Sequence, residues 1–220
     1  MQWVVRKRFS NDLTLDFNYS FAKSIDLASR AENAGSFSGF LVNSWEPRQR
    51  RGVSDYDQRH VYNAFAIWEL PFGPGKKWGS TSNKVLKQII GGWQLAPTWQ
   101  QSTELPVSVG NGRNWPTNWN ITGFATPTRT PPVTTKNPVM QGIDGRTTAG
   151  MFANAQAARD SWNFTLPGQS GSRNTVRVDG VMNINLGIGK SFFMPWEGHR
   201  FQFRWEIFNL TNTNRFDGVN

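Results

Sequence analysis

The chain contains no cysteine among its 220 residues, so it has no disulfide framework, no thiolate metal site and no cysteine nucleophile. Histidine is nearly as scarce, with two residues. Long apolar runs are missing as well, since no stretch reaches the roughly 18 apolar residues of a transmembrane helix. If this chain enters a membrane, the sequence therefore predicts that it does so as β-strands.

Aromatic side chains supply much of the apolar surface instead. Only 37% of the residues are apolar, yet 14% are aromatic, including 11 Trp and 16 Phe. Such rings suit interfaces, because they combine a large apolar area with, in Trp, a polar group. The net charge of +9 is compatible with nucleic acid, anionic lipid or lipopolysaccharide as a partner, although arginines such as Arg48 and Arg51 also fit a solvated loop.

Six segments alternate apolar and polar side chains, which is the period of a β-strand. In the last of them Phe201, Phe203 and Trp205 fall on one face, while Arg204 and Glu206 fall on the other. Each segment is close to the roughly 9 to 11 residues that a tilted strand needs to cross a bilayer. The predicted strands span residues 2–9, 13–25, 60–70, 93–103, 176–190 and 199–209.

The connections between these strands alternate in length. Asn11-Asp12 and residues 193–198 are short turns, the loops at about 27–57 and 105–174 are long, and the connection at 71–92 is intermediate, with a short helix predicted at 83–90. Outer-membrane barrels have short periplasmic turns and long extracellular loops. The predicted fold is therefore all-β: an antiparallel up-and-down transmembrane β-barrel segment with long loops at one end.

Ring placement agrees with this interpretation, because aromatic girdles sit where barrel strands reach the membrane interface. Aromatic residues near the predicted strand ends are Trp3, Tyr62, Trp68, Trp78, Trp93 and Trp196.

A soluble, aromatic-rich β-sandwich is the alternative, in which the same rings would be buried between two sheets. Such a module would bind carbohydrate through Trp115, Trp119 or Trp162, which lie in the longest loop. These three tryptophans are candidate ligand contacts in the barrel interpretation as well, although packing within the loop explains them equally. A basic nucleic-acid binder is a third hypothesis.

Asp55, Asp57, Arg59 and His60 form the one cluster that resembles catalytic machinery. A histidine beside carboxylates can act as a general base or a metal ligand. No nucleophile or second histidine is close in sequence, so the cluster is better interpreted as a hydrogen-bonded strand start at the outer rim. The sequence predicts a protein that is not an enzyme, with no catalytic, cofactor or metal site.

Several strings resemble the carboxyl-terminal barrel of TonB-dependent outer-membrane receptors of the Oar-like branch. They occur in the expected order over most of the chain, and it is their joint occurrence that is specific. The strings are KRFS at 7–10, FNYSFAKSID at 17–26, DQRHVYN at 57–63, ELPFG at 69–73, GGWQL at 91–95, SRN at 172–174, VR at 176–177 and FQFRWEIFNLTN at 201–212.

The resemblance implies a barrel of about 22 strands, an internal plug, and import of a bulky ligand driven through the energy-coupling protein TonB. It also implies an outer-membrane location, contact with lipid and lipopolysaccharide, and no nucleic-acid partner. Residues 1–220 would then be a partial barrel domain that lacks the plug, the coupling box and the final strand, and we expect such a fragment to be inactive alone. The imported ligand cannot be read from this sequence, because selectivity would lie in loops and plug.

Overall fold

The fold is described from a computed structural model. The structure describes residues 1–10, 12–27, 29, 43, 45–81, 83–110, 124–130, 139–141, 147–149, 151–152, 154–166, 168–194 and 199–213. The chain divides into two compact units. The sheet unit comprises residues 1–21, 60–102 and 181–214, and the loop unit comprises residues 22–59, 103–180 and 215–220.

Strands dominate the described residues, and two short helices accompany them. In chain order the strands are β1 (Gln2–Ser10), β2 (Leu13–Phe21), β3 (Ile25–Asp26), β4 (Gly52–Val53), β5 (His60–Glu69), β6 (Trp93–Ser102), β7 (Pro106–Val107), β8 (Thr126–Pro127), β9 (Val139–Gln141), β10 (Thr147–Ala149), β11 (Trp162–Asn163), β12 (Val176–Arg177), β13 (Val181–Phe193) and β14 (Arg200–Ile207). The helices are α1 (Lys84–Ile90) and α2 (Ala155–Arg159), and a 3-10 turn spans Pro47–Arg50.

The sheet unit is one six-stranded sheet with the order β1-β2-β5-β6-β13-β14, and each strand is antiparallel to the next. The spatial order equals the chain order, so the long strands run up and down as the sequence predicts. The predicted all-β antiparallel fold class is confirmed.

Strand pairing aligns most apolar side chains of the six long strands on a single face, although Val61, Phe65 and Ile67 of β5 lie on the other. Because side chains alternate along each strand, residues that pair directly share a face. One cross-sheet row consists of Val5, Phe17, Ala64, Trp99 and Ile184. A second row consists of Leu13, Trp68, Leu95, Ile188 and Trp205.

The opposite face of the sheet is mainly polar. A row of carboxamides crosses four strands through Asn18, Asn63, Gln100 and Asn183. Beside it, the buried Asp16 accepts a hydrogen bond from Arg6 Nε at 2.6 Å and another from the Asn18 amide. The sheet therefore separates an apolar side from a hydrated side.

Pro97 lies in the interior of this sheet, in β6. Because proline has no N–H to donate, a ladder is weakened where it occurs. The pairing of β6 with β5 runs from Ser102 to Thr98 and resumes at Leu95, so it is interrupted around Pro97. The pairing with β13 continues through this position.

The predicted short helix and the predicted hairpin between β1 and β2 agree with the structure, while residues 195–198 of the other predicted short turn lie outside the described residues. Asp12 adopts a left-handed conformation (φ 61°) in the hairpin between β1 and β2. Helix α1 begins after Asn83, whose side chain accepts a hydrogen bond from the Leu86 N–H, and it ends before Gly91. Gly92 follows with φ +70°, and a Cβ there would lie 2.3 Å from the Ser191 carbonyl oxygen, so this position requires glycine.

Two predicted strands are wrong at their ends. The segment 176–190 was expected to be one strand, but Val176–Arg177 forms the separate short strand β12, and β13 begins at Val181. The segment 13–25 ends as β2 at Phe21, and Ile25–Asp26 forms β3. In both cases alternation continues in sequence, while the backbone leaves the sheet to pair inside the loop unit.

The loop unit is built from short two-stranded ladders, in which β3 pairs with β4, β7 with β12, β8 with β11 and β9 with β10. Its described apolar core is small, and the buried apolar residues are Ala125, Ala158, Val176 and Val178. Polar side chains fill most of the remaining interior.

If the apolar face of the sheet meets lipid, a charge placed on it will be costly. We expect Ile188→Arg, in the interior of β13, to lower the free energy of unfolding by about 2 to 4 kcal/mol, because a guanidinium near the bilayer midplane loses its hydration. Gln100→Arg, on the polar face, is the matched control and is expected to change it little. Denaturant titration of the intact protein in lipid vesicles measures the free energy of unfolding of both variants. An equal decrease in the two variants would contradict the assignment of the apolar face to lipid.

Candidate functional site

The candidate site is a network of charged side chains inside the loop unit, and Asp57 is one of its two centres. Asp57 follows a turn in which its N–H donates to the Ser54 carbonyl at 3.0 Å. Its side chain is fully enclosed. Oδ2 accepts from Arg177 Nη2 at 2.5 Å and from Arg59 Nε at 3.1 Å, and Oδ1 accepts from the Ser24 N–H at 2.7 Å.

These donors determine the charge state of Asp57. Burial alone would raise the pKa of the carboxyl, but the hydrogen bonds, led by that of Arg177, outweigh it and hold the pKa below its usual range. Arg177 also donates to the Asp57 carbonyl oxygen at 3.1 Å and to the Glu104 carbonyl oxygen at 2.9 Å. One guanidinium thus joins two loops that are far apart in sequence.

Arg173 is the second centre, and its side chain is only 3% exposed. Nη1 donates to Asp26 Oδ1 at 2.7 Å, while Nη2 donates to Ser29 Oγ at 2.8 Å and lies 3.5 Å from Asp55 Oδ1. Burial of the Asp26 carboxyl opposes its ionisation, but hydrogen bonds from Ser29 and Arg173 outweigh this and lower its pKa.

Asn174 continues the network in a left-handed conformation (φ 54°) that asparagine tolerates better than most residues. Its Nδ2 donates to the Val53 carbonyl at 2.6 Å and to Asp55 Oδ1 at 2.8 Å. Its N–H donates to Ser108 Oγ at 3.0 Å. Residues 173–177 therefore bind both to residues 26–57 and to residues 104–108 of the loop unit.

The structure separates the cluster that resembled catalytic machinery. Asp55 and Asp57 accept from different arginines, and Arg59 donates to Asp57. His60 belongs to the sheet unit, where its Nδ1 lies 2.9 Å from the Tyr19 hydroxyl. Such an arrangement stabilises loops and a strand start. Among the described residues, no group of three or more His, Cys, Asp or Glu side chains is arranged to hold a metal ion.

Of the predicted ligand-contact residues, Trp115 and Trp119 lie outside the described residues, as does Trp196 of the predicted girdle. Trp162 is half-buried in β11. Its ring centroid is 5.9 Å from that of Phe152, and its Nε1 lies 3.4 Å from Thr175 Oγ1.

Sequence reasoning missed the partners of these carboxylates. Arg173, Asn174 and Arg177 lie more than a hundred residues after Asp57 and Asp26, and no periodic pattern relates them. The signal that could have identified them is their presence in two of the strings that resemble the receptor family, SRN and VR.

Rings on the apolar sheet face separate the barrel interpretation from the soluble sandwich. In a sandwich they would be sealed between sheets, but Phe201, Phe203 and Trp205 are 56 to 59% exposed. Among the described residues, no helix is long and apolar enough to cross a membrane. An up-and-down sheet with an uncovered aromatic face and a polar reverse face is the wall of an outer-membrane β-barrel.

Comparison with known families agrees. The chain matches the outer membrane beta barrel domain family over residues 1–220, and it belongs to that family. Its location is accordingly the outer membrane. No match to the chain is found among curated proteins or solved structures.

The charged network predicts a specific loss of loop stability. Asp57→Asn leaves the Arg177 and Arg59 guanidinium groups without their anion, and we expect it to destabilise the loop unit by about 2 kcal/mol. Asp179→Asn, at a half-buried carboxyl of the same unit, is the control. Limited trypsin digestion of the intact protein in membranes reports opening of the unit, and equal protection of wild type and Asp57→Asn would contradict the assignment.

The lowered pKa values of Asp57 and Asp26 predict acid sensitivity. A carboxyl with a depressed pKa in the folded state contributes stability above its unfolded pKa of about 4, and this contribution is lost as the pH falls through the folded value. Pepsin should therefore leave the loop unit intact near pH 5 and cleave it increasingly below about pH 4. In Asp57→Asn this pH dependence should be weaker.

Proposed function

We propose that this chain forms part of the barrel wall of a TonB-dependent outer-membrane receptor that imports a bulky ligand. The observation that carries the proposal is spatial: six of the eight strings that resemble this family, though scattered along the sequence, contact one another. A chance collection of short strings has no reason to do so.

Three of these pairs lie in the loop unit. The DQRHVYN string contacts the VR string through an ion pair, in which Arg177 Nη2 lies 2.5 Å from Asp57 Oδ2. The FNYSFAKSID string meets SRN through Asp26 and Arg173 at 2.7 Å, and meets DQRHVYN through the Ser24 N–H and Asp57 at 2.7 Å.

A further pair lies in the sheet unit. ELPFG meets GGWQL where the Leu70 N–H donates to the Trp93 carbonyl at 2.9 Å. The two strings approach so closely that a Cβ on Gly73 would lie 2.5 Å from the Gly91 Cα. Two glycines at this contact are therefore a packing requirement of the fold.

Backbone pairing supports a barrel larger than this sheet. Within the described residues, β1 pairs with β2 alone and β14 with β13 alone. In hydrocarbon each unpaired backbone group costs several kcal/mol, so the two outer edges need further strands. A receptor barrel of about 22 strands would supply them.

In this proposal the apolar face contacts outer-membrane lipid and lipopolysaccharide, and the long loops at about 27–57 and 105–174 are extracellular. The carboxamide row faces the lumen, where the receptor's plug would lie, and TonB would contact the receptor's coupling segment from the periplasm. Trp115, Trp119 and Trp162 are proposed ligand contacts, and Trp162 is half-buried in β11. The segment has no enzymatic role and no nucleic-acid partner.

Energy coupling tests the proposal. We expect the intact protein, purified in detergent, to retain the periplasmic domain of TonB, because an energised receptor must be contacted from the periplasm. Deleting the receptor's coupling segment is the control and should abolish retention. Planar-bilayer recording separates the receptor from an open porin: a plugged receptor shows no steady channel, whereas stable open steps without TonB retention would overturn the proposal.

A further inference from the structure

The connection between β5 and β6, residues 70–92, contains helix α1 and lies at the short-turn end of the sheet. We call it the β5–β6 connector. Lys76 Nζ donates to Asp12 Oδ1 at 2.6 Å and to Glu69 Oε2 at 2.9 Å, which places the connector beside the β1–β2 turn. Short turns of outer-membrane barrels are periplasmic, so the connector lies at the periplasmic membrane interface.

Lys190 fixes α1 against the apolar face of the sheet. Although it pairs directly with Trp93 on that face, it is only 3% exposed. Its Nζ donates to the carbonyl oxygens of Gln88 at 2.6 Å, Ile89 at 3.1 Å and Gly91. Trp93 Nε1 donates to the Ile89 carbonyl at 2.9 Å. A cation thus satisfies the free carbonyls at the end of the helix.

The exposure of α1 is the reverse of that of a helix in water. Two of its three polar residues, Lys87 and Gln88, are half-buried and Lys84 is exposed. Of its apolar residues Ile90 is half-buried, whereas Val85 is 70%, Ile89 59% and Leu86 44% exposed. At 100° per residue these three apolar side chains share one side of the helix. Such an arrangement is favourable only if that side meets an apolar medium.

The loop before α1 adds an aromatic anchor and positive charge. Trp78 is 51% exposed, its ring centroid is 5.5 Å from that of Phe72, and Lys77 Nζ lies 5.1 Å from the Trp78 ring. Residues 70–92 contain four lysines and no Asp or Glu. Aromatic rings and lysines of this kind concentrate where acyl chains meet headgroups.

We propose that the β5–β6 connector is a lipid-binding site for anionic phospholipid in the periplasmic leaflet. Val85, Leu86 and Ile89 enter the acyl region beside the apolar sheet face, and Lys77 and Lys84 contact phosphate. The occupant is lipid because the exposed side of α1 continues the lipid-facing surface at Trp93 and because the connector's charge is uniformly positive. The proposal rests on the barrel fold and not on ligand import, so it stands if the receptor function fails.

Depth measurement tests the apolar contact. Because the chain has no cysteine, a single Val85→Cys can carry a nitroxide label in the intact protein, with any cysteine outside this chain replaced. In nanodiscs of phosphatidylethanolamine and phosphatidylglycerol, we expect the label to collide several-fold more with oxygen relative to a water-soluble nickel reagent than a label at Lys23→Cys. Lys23 is the control because it is an exposed lysine of the loop unit, outside the proposed lipid site.

Three outcomes decide this measurement. A lipid-accessible Val85 with a water-accessible Lys23 supports the proposal. Equal access of the nickel reagent to both positions overturns it, since α1 then lies in water. A Val85 label that is shielded from both reagents also overturns it, because a protein surface then covers the helix.

Charge reversal tests the headgroup preference. We expect Lys77→Glu combined with Lys84→Glu to lose the preferential retention of phosphatidylglycerol over phosphatidylethanolamine, as counted by native mass spectrometry of the intact protein. Lys23→Glu, an exposed lysine of the loop unit, is the control and should retain the preference. Unchanged retention in the double variant would overturn the assignment of these lysines to phosphate.

Discussion

The requirement that every backbone N–H and C=O in hydrocarbon be paired is the constraint on which this structure depends. Six long strands meet it between neighbours by antiparallel pairing in chain order, and the outer edges of β1 and β14 need further strands. Once the backbone is paired, side chains are free to differ on the two faces, and the strand period of two sorts rings to one side and carboxamides to the other. Even Pro97 is tolerated, since pairing continues on its β13 side.

The loop unit is stabilised in a different way from the sheet unit, because it has little apolar surface to bury. Its described buried residues are mostly polar, and Asp57 and Arg173 each join segments that are distant in sequence. Buried ions of this kind are costly unless they are paired and hydrogen-bonded, so the geometry must be satisfied as a whole. Loops held in this way keep a fixed shape without a large hydrophobic core.

Prediction from sequence succeeded where structure is local and periodic. The faces of β2 and β14, the Asp12 turn and helix α1 with its glycine stop all follow from patterns within about ten residues. It failed at the rim, where 176–180 alternates like a strand but Val176–Arg177 pairs with β7 in the loop unit. A period of two reports strand conformation and carries no information about which neighbour supplies the hydrogen bonds.

By itself, the sequence determined the number of long strands, which face of each strand is mainly apolar, and the unequal lengths of the connections. These properties follow from side-chain alternation and turn chemistry. Only the tertiary structure decided that Asp57 binds Arg177, that Arg173 binds Asp26, and that Lys190 holds the exposed apolar side of α1 outward. The physical reason is that a charged side chain selects its partner by distance in space. That distance is set by the pairing of the whole sheet and of the loop ladders, and no single segment encodes it.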